Sequence, residues 1–166
     1  MRLEPFGEQH LHALSAILDD PDIVRFTRVP EPTPPDFART WLAGYEAGRR
    51  DGTREAFAVR DDDGAFLGLA LAPSIDREAR EVELGYLVAP AARGRGVATA
   101  ILRELTRWAF AQGALRAELV INVENPASER VAERCGYVRE GVLRSIHFKG
   151  EQHTDASLWS RLPTDR

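Results

Sequence analysis

Residues 82–99 read Val82-Glu83-Leu84-Gly85-Tyr86-Leu87-Val88-Ala89-Pro90 and then Ala91-Ala92-Arg93-Gly94-Arg95-Gly96-Val97-Ala98-Thr99. The first half is rich in branched and aromatic residues and stops at a proline, which predicts a strand. Behind the basic, glycine-rich turn, an apolar periodic run from Val97 to about Phe110 predicts a helix. Such a succession builds an anion site, because glycines let N–H groups converge and a helix start adds unpaired donors.

The turn is typical of a phosphate site, but it is neither of the two common nucleotide loops. It lacks Gly-x-x-x-x-Gly-Lys-Ser/Thr, and Gly94-x-Gly96 is followed by Thr99 where the dinucleotide fingerprint has its third glycine. Arg93 and Arg95 supply guanidinium groups suited to phosphate oxygens. A capped helix with two solvated arginines is the alternative interpretation of the same residues.

The composition indicates a globular chain of one domain, residues 1–166, large enough to bury a real core. A net charge of −4 argues against a general nucleic-acid binder and mildly favours a cationic partner. The single cysteine excludes an intrachain disulfide, and no targeting segment or long apolar span is visible. We therefore expect a cytoplasmic protein with no membrane partner.

The rest of the pattern predicts mixed α/β architecture with one sheet covered by helices. The Pro-rich residues 21–35 are either a connecting loop or a wall of a substrate pocket. The other predicted elements are, in chain order, a strand over Arg2–Phe6, a helix over Glu8–Leu18, a helix from Thr33 or Asp36 to about Arg50, strands over Glu55–Arg60 and Ala65–Leu71 joined by an Asp-Gly turn, the strand, turn and helix of residues 82–111, a strand over Arg116–Val123, a helix after Asn125, and two strands around Lys149-Gly150.

Two motifs resemble a known family. Arg93, Gly96 and Ala98 form Arg-x-x-Gly-x-Ala, which resembles the pyrophosphate signature of the GCN5-related N-acetyltransferase (GNAT) superfamily. The segment from Asn125 to Arg144 resembles its RimJ/RimL-type branch, whose members acetylate ribosomal-protein N-termini and whose relatives act on small amines and aminoglycosides. The resemblance spans essentially the whole chain. It implies a central, mostly antiparallel, twisted sheet of about seven strands, with a parallel fourth and fifth strand that splay apart, flanked by about four helices.

The resemblance also implies acetyl-coenzyme A as cosubstrate. The backbone of Leu87 and Val88 would pair with the amide-bearing arm of the cofactor, as an added strand would. Asn125 matches a position that contacts this arm, although capping the helix that it begins explains the residue equally well. The residues expected around the diphosphate are Arg93, Gly94, Arg95, Gly96, Val97, Ala98 and Thr99.

For catalysis, the acceptor amine must lose a proton and the departing thiolate must be stabilised. Glu83 is the candidate base, since it matches a catalytic glutamate of the superfamily and alternation puts it on the face of Leu87. Orienting the substrate or a water is its alternative role. Many superfamily members carry a tyrosine where this chain has Ala132, so Ser128 is the candidate group near the sulfur. Tyr86 fits the core pattern better than a catalytic one.

The expected reaction is direct attack by an amine in a ternary complex. Glu83, Glu140, Glu151 and Asp155 favour a cationic acceptor, which the sequence leaves open among a protein N-terminus, an aminoglycoside, a polyamine and another metabolite. A coenzyme A-binding sensor without turnover is the alternative function, and a homodimer is left open. The four histidines lack metal-ligand spacing, so no metal is expected.

Overall fold

A computed structural model describes residues 1–165, and its elements follow the predicted order with one helix added. The strands are β1 (Arg2–Pro5), β2 (Glu55–Arg60), β3 (Phe66–Asp76), β4 (Glu81–Val88), β5 (Arg116–Asn122), β6 (Val138–Lys149) and β7 (Gln152–Arg161). The helices are α1 (Leu11–Ser15), α2 (Pro21–Phe26), α3 (Phe37–Asp51), α4 (Val97–Ala111) and α5 (Pro126–Arg134), with 3-10 turns at Glu8–His10 and Pro90–Ala92.

Within residues 1–165 the seven strands form one sheet in the order β1-β2-β3-β4-β5-β7-β6. Neighbouring strands are antiparallel throughout, except that β4 and β5 are parallel. The predicted mixed fold and its mostly antiparallel sheet are therefore confirmed. The described residues contain five α-helices where the resemblance implied about four.

The parallel strands separate soon after they meet. Residues Glu81–Glu83 of β4 pair with Arg116–Glu118 of β5, and the pairing goes no further. Beyond that point β4 stays with β3 as far as Val88, while β5 stays with β7 as far as Asn122. A V-shaped gap therefore opens between two halves of the sheet, with Glu83 at its apex.

A β-bulge in β3 lies beside this apex. Between the pairs that Leu71 and Ser74 make with β4, two residues of β3, Ala72 and Pro73, lie opposite the single residue Leu84. Pro73 has no N–H to donate, and bulges are where a strand accommodates a proline and increases its twist. β3 therefore continues past Leu71, where the sequence predicted its end.

Two apolar layers cover the faces of the sheet. Leu69 and Leu71 of β3 pack on one face with side chains of α1, α2 and α3. On the other face, Val82 and Leu84 of β4 pack against α4 and α5. The inner stripe of α4 comprises Ile101, Leu102, Leu105 and Ala109, all fully buried. Strand alternation thus gives each face of β4 to a different helical layer.

The start of the chain departs from the prediction of one helix over Glu8–Leu18. The α-helix there ends at Ser15, and the six residues of α2 follow where a Pro-rich loop was expected. The cause is local: Asp20 accepts hydrogen bonds from the N–H groups of Asp22 and Ile23, and Pro21 occupies the first helical position. Both are established helix-start signals.

We predict that Gly68→Ala destabilises the fold by about 2 kcal/mol or more. Gly68 has a φ of 146°, and a Cβ atom there would lie 2.0 Å from the backbone oxygen of Leu87. Gly64→Ala is the matched control, because its φ is also positive, at 86°, but nothing lies within 4 Å. In urea unfolding, this control should lose about 1 kcal/mol of the free energy of unfolding. Equal losses in the two variants would contradict the close approach.

Candidate active site

The gap leaves one edge of β4 free. Residues 85–88 pair with β3 on one side and, among residues 1–165, with no strand on the other. Leu87 is buried and Val88 is half-buried on this segment. A free strand edge can bind an extended ligand through N–H and C=O groups alone. The two residues predicted to pair with the cofactor arm thus lie on an available edge.

The turn after β4 presents unpaired N–H groups. Gly94 and Gly96 have φ values of 72° and 77°, which turn the chain tightly into α4. The N–H of Arg93 bonds to the oxygen of Pro90 at 3.2 Å, and the next N–H with an acceptor is that of Ala100, which bonds to Gly96 at 3.0 Å. Between them, residues 94–99 offer free donors at the positive end of a helix, an arrangement suited to an anion.

The two arginines of the turn have different surroundings. The Arg93 guanidinium donates to the carboxylate of Asp20 and, at 3.2 Å, to that of Asp22, so it faces α2. This contact holds the pKa of Asp20 below its ordinary value. Arg95 is exposed, and its side chain makes no hydrogen bond or ion pair with any other of residues 1–165. Arg95 is therefore the guanidinium free to meet a ligand, and contact between Arg93 and a diphosphate stays a prediction.

Asn125 and Ser128 begin α5, directly after β5. The Asn125 side-chain oxygen accepts from the Ser128 N–H at 3.1 Å, so Asn125 caps the helix as its alternative role required. Both side chains are half-buried. Capping uses the amide oxygen of Asn125 and the backbone of Ser128, which leaves the amide NH2 and the serine hydroxyl for other contacts.

Glu83 lies at the apex of the gap, on the face covered by α3. It is half-buried, and burial raises its pKa while the Arg28 charge opposes that shift. Its charge acts on the buried phenol of Tyr45 on α3, which fixes the side on which it points. A carboxylate with a raised pKa is a better proton acceptor for an ammonium group than an ordinary one.

Glu83 has an acidic neighbour that sequence reasoning missed. Glu118 is its register partner on β5, and burial is also the largest cause that raises the pKa of Glu118. Arg116 donates to both oxygens of Glu140, at 2.8 and 2.7 Å, and the pKa of Glu140 falls to about 2. Arg116 also donates to Glu118, at 3.3 and 3.4 Å, so Arg116 offsets the charges of both Glu118 and Glu140.

The Pro-rich segment contacts the last hairpin across from the apex. The Lys149 ammonium donates to the backbone oxygens of Thr27, at 3.0 Å, and of Val29. His147 lies against the same segment, where burial lowers its pKa, and the Arg28 charge acts on it as well as on Glu83. These contacts favour the pocket-wall interpretation of this segment over a plain connecting loop.

Tyr86 is a second residue whose place the sequence did not identify. Its ring packs with the layer of α4 and α5, as the core pattern predicted, but its hydroxyl is buried without a hydrogen-bond partner near Ser128. The available signal was alternation along β4, which puts Tyr86 on the face opposite Glu83. Alternation predicts the face on which the ring lies, but it does not predict which groups surround the hydroxyl.

Two further kinds of feature are absent from residues 1–165. No group of three or more His, Cys, Asp or Glu side chains there could hold a metal ion. None of the described helices has both the length and the apolar character to cross a membrane.

The chain resembles known acetyltransferases in sequence and in structure. The family described as acetyltransferase (GNAT) domain matches residues 1–138. A putative ribosomal N-acetyltransferase, YdaF, of Bacillus subtilis (strain 168) is 33% identical over 101 residues, 60% of this chain and 55% of that protein. A ribosomal-protein-serine acetyltransferase of Escherichia coli (strain K12) is 30% identical over 84 residues, 50% of this chain and 47% of that protein. The chain thus spans about half the length of these curated relatives.

A solved structure gives the fold comparison. Spermidine N-acetyltransferase from Vibrio cholerae, in complex with coenzyme A and spermine, superposes with a TM-score of 0.85. The superposition covers 99% of this chain and 96% of that one, at 22% identity. At this level of identity the likeness concerns the fold.

We predict that Arg93→Gln lowers the free energy of unfolding by about 1 kcal/mol at pH 7, a value reduced for solvent screening of a partly exposed pair. The folded state lowers the pKa of Asp20, so the ion pair stabilises the fold fully at any pH above 3.8, the ordinary pKa of an aspartate. This stabilisation is lost as the pH falls below 3.8. Urea unfolding across this range measures the difference.

Arg107→Gln is the matched control, because its partner Glu104 is more exposed and lies on the same helix. Its free energy of unfolding should fall by no more than about 0.5 kcal/mol. A difference between wild type and Arg93→Gln that does not shrink in acid would contradict the ion pair with Asp20.

Proposed function

The chain belongs to the GNAT acetyltransferase family, and from this premise we propose that it transfers an acetyl group from acetyl-coenzyme A to a primary amine by direct attack in a ternary complex. One observation carries the proposal. A turn with free N–H groups at residues 94–99, a free strand edge at Leu87 and Val88, and a carboxylate of raised pKa at Glu83 border a single gap.

The residues of the gap fit coenzyme A. The N–H groups of residues 94–99 and the Arg95 guanidinium would hold the diphosphate, and the edge of β4 would hold the amide-bearing arm. A Cβ atom at Gly94 or Gly96 would have open space around it, so the turn has room for a ligand. Asn125 keeps an amide NH2 for the same arm. When bound, the cosubstrate supplies an activated acetyl thioester.

Glu83 is proposed to prepare the nucleophile. An amine is protonated near neutral pH, and it must lose a proton before its nitrogen can attack a carbonyl carbon. The Glu83 carboxylate attracts the ammonium group and accepts that proton, helped by the burial that raises its pKa. Ser128, in the first turn of α5, is proposed to donate its hydroxyl to the sulfur that departs.

The acceptor is proposed to be a cationic amine. Glu83 lies beside Glu118, whose charge Arg116 already offsets, and a positive group at the apex would offset the cost of burying the Glu83 carboxylate. The relatives' names point to ribosomal proteins and to spermidine. A protein N-terminus and a polyamine therefore both fit, and an aminoglycoside stays a prediction, as does a homodimer.

The test is a panel of acceptors with a thiol-release readout. Peptides with free N-termini, polyamines and aminoglycosides are incubated with acetyl-coenzyme A and the chain, and amine-dependent release of thiol is expected. Ser128→Ala should keep coenzyme A affinity and lower turnover by about tenfold, whereas Ser15→Ala, an exposed serine on α1, should change neither. Tight binding of coenzyme A without turnover on any amine would favour the sensor function. No binding in calorimetry would refute both.

We predict that Glu83→Gln lowers kcat/KM by about 10²-fold near neutral pH. In the wild type, activity should fall as the pH drops through a pKa above 4.5, because protonation removes the base. This acidic limb should disappear in the variant, while coenzyme A affinity stays unchanged. A variant that keeps the limb would show that Glu83 orients the substrate or a water and that another group takes the proton.

A further inference from the structure

Tyr86 carries a buried polar atom that the proposed chemistry has not yet used. It lies on β4 beyond the last residue that pairs with β5, so its ring stands beside the gap. Its hydroxyl oxygen is buried and has no hydrogen-bond partner in the part of the chain that the structure describes. Buried hydroxyls are nearly always paired, and one without a partner therefore calls for an explanation.

The hydroxyl points toward the inner face of α5. Ser128, Ala132 and Cys135 follow one another on that face at helical spacing. Ala132 is fully buried and offers no polar group, and the Cys135 thiol approaches the Thr99 oxygen at 3.6 Å. The Ser128 hydroxyl is close enough to lower the phenol's pKa, but its approach lacks the geometry of a full hydrogen bond. The two hydroxyls thus lie near one another beside the gap, and the phenol has no acceptor among residues 1–165.

We propose that the Tyr86 hydroxyl, together with that of Ser128, donates a hydrogen bond to the coenzyme A sulfur as it leaves. The inference rests on the proposed acetyltransferase function. Glu83 and Tyr86 lie on opposite faces of β4, so the carboxylate serves the incoming amine and the phenol serves the departing sulfur.

The proton stays on the phenol in this step. The amine nitrogen forms a bond to the acetyl carbon, and when the carbon–sulfur bond breaks, its electron pair goes to sulfur and produces a thiolate. An ammonium acceptor loses two protons in all: the first passes through Glu83 to water before the attack, and the second goes to Glu83 as the carbon–sulfur bond breaks. Burial raises the pKa of Tyr86 to about 12, well above the value of about 8.5 for a thiol. Transfer to sulfur would be uphill, so Tyr86 stabilises the thiolate as a donor, and water protonates it after release.

The direct readout is the pKa of the bound coenzyme A thiol. The ultraviolet absorbance of the thiolate is measured against pH for coenzyme A bound to the protein. The same measurement with desulfo-coenzyme A, which has no thiol, gives the absorbance of the protein itself, and this background is subtracted. The wild type should bind the thiol with a pKa below that of free coenzyme A. Tyr86→Phe should raise the bound value by about one unit and leave the affinity for desulfo-coenzyme A unchanged.

Tyr137→Phe is the matched control. Tyr137 is also a buried phenol of the same layer, but its hydroxyl pairs with Thr106 at 2.7 Å, and its removal should not move the thiol pKa. The other titratable group whose charge acts on Tyr86 is the Cys135 thiol, which both variants keep.

Three outcomes are distinct. A thiol pKa that rises in Tyr86→Phe alone supports the inference. An unchanged thiol pKa in Tyr86→Phe, with coenzyme A still bound, overturns the role of Tyr86 and leaves the acetyltransferase function standing. A wild type that binds neither coenzyme A nor its desulfo analogue overturns both.

Discussion

The parting of β4 from β5 is the constraint on which the rest of the site depends. The bulge at Pro73 puts an extra residue of β3 opposite Leu84, and Leu84 is also the first residue of β4 that no longer pairs with β5. Since bulges increase local twist, β4 turns with β3 while β5 remains paired with β7. The two halves of the sheet therefore separate. The free strand edge and the apical carboxylate are two consequences of the same geometric event.

Ion pairs and hydrogen bonds then tie the two sides of the gap together. Asp20 caps α2 and also accepts from Arg93, so the glycine turn and α2 share one carboxylate. Lys149 joins the last hairpin to the backbone that follows α2. The turn that would hold a diphosphate and the walls around Glu83 are thus parts of one connected structure. This connection explains why Arg93, the first basic residue of the turn, is directed away from solvent.

Local signals predicted much of this arrangement. Branched residues followed by a proline, a glycine turn and an apolar periodic run were enough to predict β4, the turn and α4, and alternation put Glu83 on the correct face of the strand. Helix α2 had an equally local signal in Asp20 and Pro21, but the density of prolines up to residue 35 favoured a loop. Neither the partner of Arg93, 73 residues away in sequence, nor the surroundings of the Tyr86 hydroxyl could be predicted, because both depend on how distant elements meet.

The unpaired groups of the molecule are not spread evenly. Four buried side-chain atoms in residues 1–165 lack a hydrogen bond, and two of them are nitrogens of Arg60 and Arg161. The Arg60 nitrogen is paired with the Glu4 carboxylate, and the Arg161 guanidinium donates to the Cys135 oxygen. Of the other two, Tyr86 Oη borders the gap, as do the free N–H groups of the turn, whereas His147 Nε2 belongs to a ring that lies against Phe26 of the Pro-rich segment. A buried unpaired group costs folding free energy, whereas the N–H groups of the exposed residues 94–96 are open to water. The buried hydroxyl of Tyr86 is therefore the group that argues for a ligand with an acceptor of its own in the gap.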